Sequence, residues 1–500
     1  MSTFITNASV VARACVSRKD TLSPMRSRAL AEIVALSTGR GASYADARAV
    51  EREIESVTVK DGSVESIDRS ADRGIGVRVL VKGAWGVAAS DRTDDASLRR
   101  LVDDAIARAD ASARVQRRAV TLAAVPREHG EYRTTFARDP FAVPMTERIE
   151  LLRAADDAMK GEHVRTRRGG ISAYRTRKHL VTSEGTDVAQ EIVDSAAGLA
   201  VLAVKAEAKP VTRSELRNAK QAGWEFVEAC DLVTRGRRYR TDAEATLDAP
   251  LAPARATDVI LDQSFLALLV HESCGHPTEA DRVLEHEVAF AGTTFMWPED
   301  RGRLRYGSTH VSMTADATLP GGLGTFGWDD DGVPGMRTKL IDRGTFVGYL
   351  TSRETAGALG IPVAIGSARA ESWQHSPIVR MVNVSLDAGP TPYPLLLGGI
   401  QDGLLLESPG SYSLDEKRQN FHFTAQVARV VRNGEVQGYV RGVGFQSLTP
   451  DFWGRCDGVA DDWELHGFLS CAKGEPLQLM RVGHGAAHAR FRALPLEIQA

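Results

Sequence analysis

Residues 257–283 read TDVILD (257–262), QSFLALLV (263–270) and HESCGHPTEADRV (271–283). The run Thr257 to Leu261 is an apolar, β-branched strand of the kind buried on both faces. Asp262 is placed to cap a helix, and Phe265, Leu266, Leu269 and Val270 pack that helix down. His271, Glu272 and His276 come at its far end. Imidazole nitrogens are good zinc donors, and a glutamate beside a bound water can take its proton during attack on an amide. The familiar zincin pattern sets its histidines four apart on one helical face. Here they are five apart, and an ideal helix would set them roughly 140° from one another around its axis. The flanking residues offer a remedy. Gly275 loosens the turn and Pro277 pushes His276 out of the α region, so the helix is expected to end or bulge. A local π-type turn would serve as well. A zinc site takes at least three protein ligands. Nearby candidates are Cys274, Glu279, Asp281, Glu285 and His286, distant ones Cys456 and Cys471, and pattern alone does not choose among them.

Upstream, Leu22 to Leu36 has helical spacing and is ended by Gly39-Arg40-Gly41, behind a loose arm at residues 1–20. Tyr44 to Val59 alternates as a strand, Lys60-Asp61-Gly62 is a turn, and Ser63 to Asp68 can pair back. Gly76 to Val81 and Trp85 to Ala89 make a second hairpin around Lys82-Gly83, and Ala96 to Ala113 is an alanine-rich helix. After Asp139 to Pro144, a helix over Thr146 to Lys160 capped by Thr146 precedes strands at 170–182 and 187–205, with Ser183-Glu184-Gly185 between them. Leu216 to Thr234 reads as helical, and the proline-bearing stretch Thr241 to Arg255 as the domain boundary. The expectation is an α+β protein, with an N-terminal α+β domain at 1–245 and a strand-rich, metal-bearing domain at 246–500.

Composition narrows the class. The 500 residues are 43% hydrophobic and 25% charged, ordinary for a soluble globular chain, and long enough to bury a core without disulfides. Lys and Arg number 62 against 65 Asp and Glu, a net charge of -3 that supplies no excess for neutralising phosphates and argues against a nucleic-acid partner. The basic runs Arg165 to Arg168 and Arg235 to Arg238 read as solvated loops. Five cysteines (Cys15, Cys230, Cys274, Cys456, Cys471) are too few and too scattered for a disulfide framework. With no charged leader before an apolar run and no long apolar stretch, the expectation is a cytoplasmic chain without a membrane span.

The run HESCGHPTEADRV resembles the signature of the TldD/PmbA family of metalloproteases. Further motifs follow in the family's order: Arg73-Gly74 through Arg78, Trp85-Gly86, Ser183-Glu184-Gly185, Leu319-Pro320-Gly321-Gly322, Asp331-Gly332-Val333-Pro334, Ser352 to Ala356, Pro377 to Asn383, and a late cysteine at Cys471. The resemblance implies a zinc site of His271, His276 and Cys471, with Glu272 as the base that activates water. It implies a C-terminal domain of strongly curved, barrel-like antiparallel sheet. It also implies hydrolysis of peptides or unfolded polypeptides held in extended form, a mode that recognises backbone without reading sequence. Such proteins act as two related subunits of which one carries the zinc motif, so this chain resembles the zinc-bearing member, working with a TldE/PmbA-like non-catalytic subunit as a heterodimer or alternatively as a homodimer. It departs from the family at Ala472 to Pro476 and at Ser411 to Arg418, which points to a different substrate selection.

Rival readings are a zinc-stabilised binding subunit in which Glu272 is incidental, a peptide or amide hydrolase of a natural-product pathway, and a DNA-associated regulator, the last opposed by the acidic charge. Cys274 is the obvious rival ligand, and Glu279 and Asp281 could support the ligand imidazoles from behind. His286, His466, His484 and His488 read as surface or internally satisfied histidines. Gly321 to Gly327 lacks the Lys-Ser/Thr of a phosphate loop, and Asp329-Asp330-Asp331 reads as a turn.

Overall fold

The computed structural model describes residues 24–215, 218–289 and 292–499. The N-terminal arm and Cys15 lie outside the described residues. Among the described residues no helix is long and apolar enough to cross a membrane.

Helices and strands are mixed throughout. The first sheet has eight strands, with Tyr44–Lys60 at its centre between Ser63–Val81 and Val164–Thr182, both antiparallel to it. Asp187–Ala203 follows, and His129–Arg133 runs parallel beside it. Asp61 and Gly62 both have positive φ, the geometry that a tight two-residue hairpin requires. The second strand is longer than expected. Residues 63–81 form one continuous strand, because the polar stretch Ser70 to Gly74 still pairs with Ile54 to Val50 through its backbone. An exposed strand can be polar on both faces, which hides it from a periodicity reading. Two apolar cores cover this sheet. Helices Pro24–Gly39 and Asp95–Ala113 pack Leu30, Ile33, Leu101 and Val102 against Val77 and Val79. Helices Met145–Ala158 and Leu232–Leu247 pack Leu152 and Tyr239 against Val57 and Leu199.

Several local expectations need correction. Thr146 is not a cap: Pro144 precedes the helix and makes no side-chain capping bond. Leu216 to Thr234 is not one helix. Residues 216 and 217 are outside the described set, Ala219–Lys220 is a strand, and the helices are Trp224–Ala229 and Leu232–Leu247. Helix Leu232–Leu247 packs with the first sheet. The basic runs are not loops either. Arg167 sits on a strand with its Nε 3.1 Å from Asp156 Oδ2, and Arg235 to Arg238 lie on a helix.

Beyond Thr257 the largest sheet runs, by strand, Cys456–Val459, Ala489–Leu494, Thr257–Leu261, Asp402–Leu414, Asn420–Arg432, Val443–Leu448 and Glu497–Ile498. Its strand order is an open path, not a closed barrel, and Thr257–Leu261 is parallel to Asp402–Leu414. Helix Gln263–Val270 is packed on all sides: Phe265 lies against Phe423 and Phe445 at centroid distances of 6.0 and 5.8 Å. Aromatic rings of this size dominate a core, and this one packs down the first turn of the helix. Asp329 to Asp331 form the expected turn, closed by the Gly332 N–H to the Asp329 carbonyl at 3.2 Å, and that turn is buried against the first sheet. Lys178 Nζ is 2.6 Å from Asp330 Oδ1 and Arg78 Nη2 is 2.7 Å from Asp331 Oδ1. Buried carboxylates need such partners.

Candidate metal centre

Asp262 accepts from Phe265 N–H at 2.7 Å, the capping bond that starts helix Gln263–Val270. The helix does not stop at its C-terminal end but widens into a π-turn over His271–Gly275, in which the His276 N–H bonds the His271 carbonyl. That extra residue per turn brings a histidine five positions on back beside the first, and the two rings meet edge-on with centroids 4.7 Å apart. Pro277 does not expel His276 from the α region, contrary to expectation: His276 has φ -60° and ψ -45°. Pro277 instead opens a 3-10 turn, where its missing N–H is no loss. Ser273 pins the widened turn, accepting from Trp453 Nε1 at 3.0 Å, while its carbonyl accepts from Tyr306 Oη at 3.0 Å.

Gly275 is helical, so its value is not a positive φ. A Cβ there would lie 2.1 Å from Met381 Sδ, and Met381 is fully buried. Gly→Ala in a helix usually stabilises by about 1 kcal/mol. Gly275→Ala should reverse that sign and destabilise by about 1–3 kcal/mol through overpacking, with partial recovery when Met381→Ala is added. Urea denaturation of the three proteins checks it, and a Gly275→Ala chain as stable as the parent would contradict it.

The third member arrives from the far end of the chain. Cys471 lies on strand Glu464–Lys473, paired with Gln478–Ala486 across a bulge between Phe468 and Cys471. Its carbonyl accepts from Arg380 Nη2. One ligand atom each of His271, His276 and Cys471 lies within 4.8 Å of the others, and all three side chains are buried. The Cys471 Sγ to His276 Nε2 distance is 3.7 Å. Cys274, the rival in sequence, points into the apolar core and is not part of this group. Burial alone holds its thiol far above the usual range, and burial pushes Cys456 up to about 12. Of the other nearby candidates, Glu285 and His286 are exposed and outside the group.

The outward nitrogens of both imidazoles are engaged. His276 Nδ1 is 2.9 Å from Glu279 Oε2 and 3.3 Å from Arg282 Nη2. Arg282 can only donate, so the shorter carboxylate contact places the hydrogen on Nδ1 and leaves Nε2 with its lone pair toward Cys471. Burial pushes His276 down to about 3, so the ring is neutral at ordinary pH. Burial would raise the Glu279 carboxyl, but Lys473, then His276 and Arg282, hold it well below the usual carboxylate range. Glu279 thus supports the His276 ring from behind; Asp281 does not, its two oxygens being 2.7 and 2.8 Å from Lys473 Nζ. The tail after Cys471 therefore contributes a fully buried lysine to the wall of the site. Burial raises the Cys471 thiol, Arg380 opposes this, and Glu279 and Glu272 add to it. A cluster of two imidazoles and one thiol, each held by outer partners, fits a zinc ion, which takes nitrogen and sulfur donors and favours ligands oriented in this way.

Glu272 sits on the π-turn, buried, with Oε2 accepting from Arg418 Nη1 at 2.9 Å. Arg418 belongs to the tip of the hairpin between Asp402–Leu414 and Asn420–Arg432 and has φ +62°, a left-handed conformation rare outside glycine. Thr449 Oγ1 donates to its carbonyl at 3.0 Å, and its N–H donates to Asp415 at 3.1 Å. The segment Ser411 to Arg418, which departs from the family motif, therefore places a cation against Glu272. Sequence reasoning missed this residue, as it missed Lys473. His484, read as a surface or internally satisfied histidine, is the latter: it is fully buried, with Nδ1 2.8 Å from the Val384 carbonyl and Nε2 2.7 Å from His271 Nδ1. For His484 a signal existed in the flanking glycines of Val482-Gly483-His484-Gly485, which mark a crowded strand.

Known proteins match the chain over most of its length. Residues 45–109, 138–237 and 254–494 match domain 1, the central domain and the C-terminal domain of the PmbA/TldA metallopeptidases. A metalloprotease of Synechocystis is 30% identical over 91% of this chain and 95% of its own length. A zinc metalloprotease TldD homolog of Saccharolobus solfataricus is 23% identical over 91% of this chain and 96% of its own. In fold, the chain is similar to the crystal structure of TldE from Thermococcus kodakarensis, with a TM-score of 0.71 at 15% identity over 94% of this chain and 99% of that one. With the HExxxH turn, the late cysteine and all three domain matches in place, the chain belongs to the PmbA/TldD family of metallopeptidases.

Proposed function

We propose that this chain is a zinc-dependent peptidase that hydrolyses peptides or unfolded polypeptides bound in extended form, with Glu272 as its general base. The observation that carries the reading is the convergence of His271, His276 and Cys471 within 4.8 Å, with His271 on the same π-turn that bears Glu272. His271, His276 and Cys471 would hold the ion. A zinc ion there supplies Lewis acidity, polarising an amide carbonyl and making water more acidic. The remaining work falls to the chain. The Glu272 carboxylate takes a proton from the attacking water and passes it to the departing amine nitrogen. Arg418 Nη1 orients Glu272 Oε2, and the buried walls keep bulk water from the reacting atoms. Glu279 keeps the His276 hydrogen on Nδ1.

We place the catalytic work in a C-terminal unit at 246–500 carried by an N-terminal unit at 1–245, in a cytoplasmic protein. A related TldE-like subunit lacking HExxxH is the proposed partner, in keeping with the fold shared with TldE. The test uses unfolded casein with zinc-loaded chain, alone and co-purified with such a subunit. Digestion should vanish on chelation and return with zinc, and be strongest for the pair. No digestion by any zinc-loaded form would overturn the proposal.

A further inference from the structure

We propose that His484 is a positioning residue that fixes the tautomer and orientation of His271, presenting His271 Nε2 to the metal. The inference rests on the zinc-site reading above and on the hydrogen bonds of the two rings. His484 Nδ1 is 2.8 Å from the Val384 carbonyl oxygen, which can only accept. Nδ1 therefore carries the hydrogen, and in a neutral ring this leaves Nε2 with its lone pair. That lone pair faces His271 Nδ1 at 2.7 Å, so His271 must carry its own hydrogen on Nδ1 and donate it. A neutral imidazole has one N–H, so His271 Nε2 is left as a metal donor. The chain Val384 O, His484, His271 specifies one tautomer at each step, as Glu279 does for His276.

The backbone around His484 is built to hold that ring in place. A Cβ at Gly483 would lie 2.3 Å from Asn383 Oδ1, and one at Gly485 1.7 Å from the Trp463 ring, so both neighbours must be glycine for the strand to approach. Gly485 N–H also donates to Ser385 Oγ at 2.9 Å. Phe468 closes the remaining sides, stacked on His271 at 5.1 Å and 7° and edge-on to His484 at 4.7 Å. Neither imidazole can turn without displacing this wall. A histidine supporting a histidine differs from the carboxylate behind His276: it orients without adding negative charge, so the two ligands are supported by groups of different charge.

The test is zinc affinity of the full chain by chelator competition, which needs no substrate. His484→Gln reaches as far as Nε2 with a carbonyl oxygen that can accept from His271. His484→Asn stops at the Nδ1 position and cannot. Zinc binding should weaken about 10–100-fold in His484→Asn and stay within about threefold in His484→Gln. The melting point of the metal-free chain, which reports packing alone, should not separate the two variants. Equal zinc affinity in all three proteins overturns the role. Equal weakening in Asn and Gln overturns it too, since packing would then be responsible. Complete loss of zinc in both would make His484 a ligand itself. A parent chain without zinc affinity would overturn the metal reading, and the His484 role with it, whereas unaltered variants overturn the His484 role alone.

Discussion

Glu272→Gln is expected to keep the bound zinc and the fold while lowering peptidase turnover by about two or more orders of magnitude. Glutamine keeps the shape and can still accept from Arg418 Nη1, which spans 2.9 Å to Glu272 Oε2 in the parent. What it loses is the capacity to take a proton from water. A hundredfold loss corresponds to about 2.7 kcal/mol of barrier. Because Glu272 is outside the ligand group, zinc content per chain should match the parent. Steady-state turnover on an unfolded substrate, with metal content measured on the same sample, separates this from a structural effect. Turnover near the parent's rate would remove Glu272 from the mechanism.

Legibility in the sequence followed the range of the interactions. The capped helix ending in the metal motif is readable because Asp262, the apolar residues 263–270 and the HExxxH spacing are all local. The π-turn is readable as one of two remedies for that spacing; which one operates depends on Met381 against Gly275 and on Tyr306 and Trp453 holding Ser273, contacts far apart in sequence. Arg418, Lys473 and His484 act through pairings with residues more than a hundred positions away, and no periodicity encodes those. Cys471 came from resemblance alone, since nothing in its own neighbourhood distinguishes it from Cys456. The acidic run Asp329 to Asp331 is the turn a local reading sees, but its burial and its pairing with Lys178 and Arg78 depend on the first sheet and are not local.

If the site is assembled across the chain and not locally, Cys471→Ser has the largest expected effect on it. Losing one of three protein ligands leaves the ion held by two imidazoles and exchangeable, and serine's hydroxyl is a poor substitute for a thiolate. Cys274 and Cys456 are buried in the apolar core, so their serine variants should lose some stability and none of the metal. The decisive measurement is zinc per chain after exhaustive dialysis of the three variants beside the parent. The expected result is a nearly empty Cys471→Ser with little remaining activity, and loaded, active Cys274→Ser and Cys456→Ser. An empty Cys274→Ser beside a fully loaded Cys471→Ser would contradict the account and place the site within the helix turn itself.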